Sequence, residues 1–236
     1  MKKILAAALI GALGATLVAT APLAAKPVRK AVRPAPSAWD ARVTPTAAGA
    51  HLIGNPAAKV KLVEFISYTC PHCADFAAES KGPLFAGPIK GGTLSVEVRP
   101  FFRNVIDIPA TLLAQCGPSS RFLGNHGAIL AAQSTWLKAP SDDLQKRWPS
   151  LNFAQRMKAL SQDLGLYQLM QGRGYTPAQL DACLADQPLA DKLAKQTEDA
   201  ATAIGVKGTP SFLINGKLQE VYAWPQLKPL LDEALR

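Results

Sequence analysis

The chain has 236 residues, 48% of them hydrophobic and 18% charged, which excludes global disorder and allows a sizeable core. Its net charge of +9 gathers toward the N-terminus: Lys2 and Lys3 contribute two and residues 26–50 a net four, so +3 remains for residues 51–236. The body is only mildly basic and lacks the basic face with interleaved aromatics that a nucleic-acid partner requires.

Lys2-Lys3, the uncharged run Ile4 to Val18, and the small residues of Ala19-Thr20-Ala21 and Leu23-Ala24-Ala25 follow the order of an export signal. Cleavage after Ala25, which leaves Lys26 first, is the expected outcome. The alternative is an uncleaved anchor, since Ile4–Ala25 is long enough to span a bilayer, although Gly11, Gly14, Thr16, Thr20 and Pro22 weaken that reading. Either way the body crosses a membrane, and the short lysine-led signal points to a bacterial periplasm. Residues 26–48, with Pro27, Pro34, Pro36 and Pro45 among basic and small residues, have the composition of a disordered linker. Order is expected to begin near His51.

Val60 to Ile66 is mostly apolar and β-rich, and reads as a buried central strand. A helix follows from Pro71 to about Glu79, and Leu94 to Val98 alternates as the next strand. From about Asn104 to Ile204 the pattern turns helical, with Phe153, Met157, Leu160, Leu164 and Tyr167 on one face. Thr176-Pro177-Ala178-Gln179 has the form of a capping box with proline at the first helical position. Leu180, Cys183 and Leu184 share a face of the helix it starts, and a further helix is expected from Pro188 to Ile204. Pro210 to Ile214 returns to strand, Asn215-Gly216 marks a hairpin turn, Leu218 to Val221 forms the second arm, and a helix runs from Pro225 to Leu235. The order is a βαβ half, a long helical stretch and a ββα half: an α/β sheet with a helical subdomain inserted between its halves.

Cys70-Pro71-His72-Cys73 carries the chemistry. It follows a buried strand and opens a helix, the setting of a redox pair. At the helix N-cap, Cys70 meets unpaired backbone N–H groups and the positive end of the macrodipole. In such motifs these lower a thiol pKa from about 8.5 to between roughly 3.5 and 7.5. Cys73 lies one turn inside and is more buried. Exchange uses this asymmetry: an accessible sulfur attacks or leaves as thiolate, and the second resolves the mixed disulfide. His72 adds donor capacity and positive charge beside Cys70. A structural disulfide is the competing reading. A zinc site would need more ligands than His51, His72 and His126 offer at their spacing, and a c-type haem would need histidine where Ala74 stands.

Glu64-Phe65-Ile66-Ser67-Tyr68-Thr69-Cys70-Pro71-His72-Cys73, with Gly208-Thr209-Pro210 downstream, resembles the DsbA-type branch of the thioredoxin superfamily over roughly residues 50–236. The resemblance implies a thioredoxin fold with an inserted helical subdomain. The expected layout is a signal peptide at 1–25, a linker at 26–48, a thioredoxin-fold domain at 49–103 and 205–236, and the insert at 104–204. It further implies dithiol oxidation in the periplasm, with Cys70 as nucleophile and Cys73 as resolving thiol. Pro210 is expected to be cis and to face the pair, with the Thr209 backbone meeting bound substrate; proline at a strand start after Gly-Thr suits a cis bond in its own right. The chain departs from the oxidase pattern at Thr209, where such enzymes often carry a β-branched apolar residue, and threonine also occurs in isomerase and reductase relatives.

Glu64 is a lone acid in an apolar strand, so its burial would raise its pKa and suit it to accept a proton from Cys73; a water-facing edge position is the alternative. Cys116 and Cys183 both face the core of the insert and in an oxidising compartment are expected to bond, as an extra pair does in some relatives; two buried free thiols are the alternative. Neither metal nor cofactor is expected. The resemblance implies unfolded or reduced exported proteins as substrates and an inner-membrane protein that reoxidises the pair. A linker too short and proline-rich for a dimerisation domain favours a monomer. The reading is an oxidase, with an isomerase or reductase as the nearest rival and a thiol or metal-binding chaperone as a further one.

Overall fold

The structure, a computed structural model, describes residues 39–236; the expected signal and residues 26–38 of the expected linker lie outside the described residues. A six-stranded sheet is formed by β1 (Val43–Pro45), β2 (His51–Gly54), β3 (Val60–Ile66), β4 (Leu94–Pro100), β5 (Ser211–Ile214) and β6 (Lys217–Gln219), in the spatial order β1-β2-β4-β3-β5-β6. Only β3 and β4 run parallel; every other pairing is antiparallel. Between β3 and β4 lies helix α1 (Pro71–Leu84), the crossover that parallel strands require. After β6, helix α10 (Trp224–Leu235) packs beside α1, with Phe76 of α1 between Phe212 at 4.7 Å and Trp224 at 6.0 Å. The βαβ and ββα halves are thus present.

The helical stretch between the halves comprises α2 (Asp107–Ala114), α3 (Phe122–Ala131), α4 (Gln133–Trp136), α5 (Asp142–Arg147), α6 (Phe153–Asp163), α7 (Leu166–Gly172), α8 (Pro177–Leu184) and α9 (Gln187–Asp199). The face through Met157, Leu160, Leu164 and Tyr167 is buried, but Gly165, at φ 84°, breaks it into two helices. The capping box at Thr176 is made in both directions with Gln179. Asn215 and Gly216 both take positive φ, which fits a two-residue hairpin turn and sets Ile214 opposite Lys217. The second arm therefore begins one residue before the expected Leu218.

One expectation is corrected. Residues 39–48 do not belong to a disordered linker: a short 3-10 turn at Trp39–Ala41 leads into β1, which pairs Val43 with Ile53. Trp39 packs so closely on Gly92 that a Cβ there would meet its indole at 2.8 Å. Pro45 suggested linker, yet an edge strand tolerates proline because it needs one ladder only. The insert, moreover, shares its core with the sheet. Leu62, Ile66 and Phe212 of the sheet belong to the same buried cluster as Leu113, Phe122, Ile129 and Leu160 of the insert. The opposite face of the sheet buries a much smaller set: Phe65, Ala200, Val206 and Leu213.

Candidate active site

Strand β3 ends at Ile66, and Ser67-Tyr68-Thr69 turn the chain into α1. Cys70 is the N-cap, in extended conformation, and Pro71 occupies the first turn, where its missing N–H costs nothing. The Cys70 carbonyl accepts the first helical hydrogen bonds, from the Cys73 N–H at 3.1 Å and the Ala74 N–H at 3.4 Å. The Thr209–Pro210 peptide is cis and brings the Thr209 carbonyl over the turn, where the Cys70 Sγ–H donates to it at 3.1 Å. This cover leaves Cys70 only 2% exposed, against the accessible sulfur expected; Cys73 is wholly buried. Both are free thiols.

The two thiols are tuned in opposite directions. Hydrogen bonding from Cys73 does most to hold the Cys70 pKa down, to about 5, aided by the Thr209 side chain, the Cys73 N–H and the Arg103 charge, and opposed by burial. Burial pushes the Cys73 thiol well up, and the neighbouring Cys70 and Glu64 charges push it further. His72 is exposed, and no hydrogen bond among the described residues joins it to Cys70; the cation acting on that thiol is Arg103.

Glu64 stands on β3 opposite Val98 and Phe212, in the middle of the sheet rather than at an edge. Burial raises its pKa to about 8, and its Oε1 has no hydrogen-bond partner. It lines a cavity of about 300 Å³ together with Ser80, His126, Ile53, Leu84 and Val98. His126 accepts or donates at Nδ1 with the buried Tyr68 hydroxyl at 2.9 Å, and burial lowers its pKa to about 4.

Sequence reasoning missed the groups that hold the turn. Asp107, 1% exposed at the start of α2, accepts from the Ser67 hydroxyl at 2.8 Å, the Thr69 N–H at 3.0 Å and the Arg103 N–H at 2.8 Å. Burial raises its pKa and these bonds oppose the rise. Gln133, at the start of α4, donates from Nε2 to the carbonyls of Tyr68 and Cys70. Asp107 in an otherwise apolar helical run, Ile106 to Ala114, was the available signal; Gln133 had none.

Cys116 and Cys183 form a disulfide between the residues after α2 and helix α8, across a sequence separation of 67. It lies within the insert and takes no part in the Cys70 turn. Among the described residues no group of three or more His, Cys, Asp or Glu side chains gathers as a metal site, and no helix is long and apolar enough to cross a membrane.

A parallel βαβ unit with a dithiol at its helix N-terminus, faced by a cis-proline loop, defines a thioredoxin-fold dithiol protein. The thioredoxin family model matches residues 46–233, and the chain belongs to that family. It is similar to a protein-disulfide isomerase from Novosphingobium aromaticivorans, with 42% identity and a TM-score of 0.75 over 80% of this chain and 98% of that one. It shares the fold of alpha-DsbA1 from Wolbachia pipientis, with 19% identity and a TM-score of 0.62 over 78% of this chain and 89% of that one. A Rickettsia bellii protein assigned provisionally as a protein-disulfide oxidoreductase is 28% identical over 185 residues, 78% of this chain and 64% of its own length. The chain thus spans less than two thirds of that relative.

Proposed function

We propose that the chain is a protein thiol–disulfide oxidoreductase that introduces disulfides into exported proteins. The observation that carries this reading is the placement of two adjacent free thiols at the start of α1, Cys70 at the N-cap beneath the cis Thr209–Pro210 peptide and Cys73 buried one turn inside, with their acidities shifted in opposite directions. A substrate thiolate attacks Cys70 Sγ of the oxidised pair, and the Cys70–Cys73 bond breaks. Cys73 leaves with the electron pair and takes up a proton, which Glu64, with a pKa of about 8, is suited to exchange. A second substrate thiolate then attacks the substrate sulfur of the mixed disulfide and expels Cys70 as a thiolate. Two electrons pass from substrate to enzyme. Because Cys70 is stable as a thiolate, the reduced form is favoured, which makes the oxidised form a strong oxidant.

The Thr209 carbonyl, which meets Cys70 in the dithiol form, is the backbone group suited to pair with a substrate strand. The lysine-led apolar N-terminus supports export to the periplasm. Unfolded or reduced exported proteins are the substrates, an inner-membrane protein restores the disulfide, and the enzyme acts as a monomer. A second reading, disulfide isomerisation, is favoured by the isomerase name of the 42% identical Novosphingobium relative. There the Cys70 thiolate would attack a substrate disulfide.

One experiment separates these readings. Protein from the periplasmic fraction, where an N-terminus at Lys26 marks a cleaved signal, is equilibrated with graded glutathione buffers. A Cys70–Cys73 potential toward about −120 mV supports the oxidase, one near about −180 mV transfers the assignment to the isomerase class, and one near about −270 mV to the reductase class. Cys70→Ser should abolish oxidation of a reduced peptide; retained activity overturns both.

A further inference from the structure

The turn that delivers Cys70 to its helix has few hydrogen bonds of its own. Within residues 67–70 they are the Cys70 N–H to the Ser67 carbonyl at 3.2 Å, and the Thr69 N–H and hydroxyl with the Ser67 Oγ at 3.1 and 3.0 Å. Apart from the Cys70 Sγ–H bond to the Thr209 carbonyl and the first bonds of α1, the remaining grips come from the insert and the residues leading into it. Asp107 takes the Thr69 N–H, and the Asn104 side-chain amide donates to the Thr69 hydroxyl at 3.0 Å. From α4, Gln133 Nε2 donates to the Tyr68 carbonyl at 2.7 Å and to the Cys70 carbonyl at 3.0 Å. Gln133 is 6% exposed, so water is no ready substitute for its two N–H groups.

The Cys70 carbonyl is the acceptor that starts α1. It therefore joins one amide of the insert to the helix end against which the thiolate sits. A peptide plane is rigid, so fixing the Tyr68 and Cys70 carbonyls fixes where the Cys70 side chain leaves the backbone. As a thiol its sulfur donates to the Thr209 carbonyl; as a thiolate it must reach the first N–H groups of the helix instead.

We propose that Gln133 is a positioning residue that ties the helical insert to the Cys70 turn and so sets how firmly the thiolate is held. This rests on the reading of Cys70 as the exchanging thiol. A residue needed for packing alone would stabilise the oxidised and reduced forms equally. Gln133 acts more on the reduced form, because only that form carries the thiolate.

The test uses Gln133→Met, which keeps the volume but cannot donate, and Gln133→Glu, which keeps the shape but at neutral pH sets a carboxylate against two carbonyls. The glutathione equilibrium constant of the Cys70–Cys73 pair and the pH dependence of Cys70 thiolate absorbance are measured for each variant. The constant should fall about tenfold in disfavour of the reduced form, about 30 mV for a two-electron couple. The thiolate should titrate about one unit higher, with Gln133→Glu moving at least as far as Gln133→Met. An unchanged constant and thiolate titration in a folded variant would overturn the proposal. So would equal losses of thermal stability in both redox forms, or the failure of both variants to fold, since the amide would then serve both forms alike. Parent protein that does not equilibrate with glutathione through Cys70 overturns the exchange reading instead.

Discussion

Cys70 and Cys73 sit in the same molecule and the same core cluster as Cys116, yet the two cysteine pairs have opposite surroundings. The first pair stands at a helix N-terminus beside a carbonyl, a buried carboxyl and a nearby arginine, and its thiols are driven apart in acidity. The second joins the residues after α2 to α8 in the insert and is closed as a disulfide. Burial does not separate them, because Cys70 and Cys116 are each 2% exposed. What separates them is charge and hydrogen-bond geometry at the sulfur. A cysteine becomes an exchange centre through what stabilises its thiolate, and a staple through the chain it closes.

That contrast can be broken at three places, in order of expected effect. Glu64 belongs to the polar surroundings of the first pair. Its folded pKa of about 8 lies above the ordinary carboxyl value, so its burial costs little below pH 4.5 and progressively more as pH rises toward 8. Glu64→Gln removes that cost. Its stability relative to the parent should improve by roughly 3–5 kcal/mol between pH 4 and pH 9, read by urea unfolding of the oxidised protein; a difference that does not vary with pH would show that folding leaves the Glu64 pKa at its ordinary value.

Removing the staple is the next largest change. Cys116→Ala with Cys183→Ala should lower stability by roughly 2–4 kcal/mol, as expected for a bridge closing a long loop. The glutathione equilibrium of Cys70 and Cys73 should stay where it was; a shift would show that the two pairs are coupled. The smallest effect is at the cap of the helix that carries Cys183. Thr176→Ala deletes one side of the capping box and should cost about 1 kcal/mol in thermal unfolding, again with no change at Cys70.

Much of this was legible in the sequence because it is local. The spacing Cys70-Pro71-His72-Cys73 after an apolar strand fixes a cysteine at a helix start. Thr176 with Gln179, and Asn215 with Gly216, act over one turn and need no tertiary context. What was not legible depends on distant partners. Gln133 reads as an ordinary polar residue until folding places it under carbonyls 63 and 65 positions away. The same holds for His126, which finds Tyr68 across 58 positions. Residues 39–48 were misread because Trp39 gains its place only against Gly92, and because proline content indicates linker unless the strand is an edge. The access expected at Cys70 was wrong for a related reason: the cover comes from Thr209, 139 residues on.

The two outer strands of the sheet have a bearing on how the protein meets its proposed clients. Both β1 and β6 are three residues long; one ends in Pro45, and the other begins at the exposed Lys217. An unfolded chain is rich in segments ready to add to an open sheet edge, and short edges with proline or lysine resist such addition. A client would find too little ladder at either rim to stay. Contact would then be confined to the Thr209 backbone beside Cys70, and a protein that handles sticky chains would be spared from co-aggregating with them.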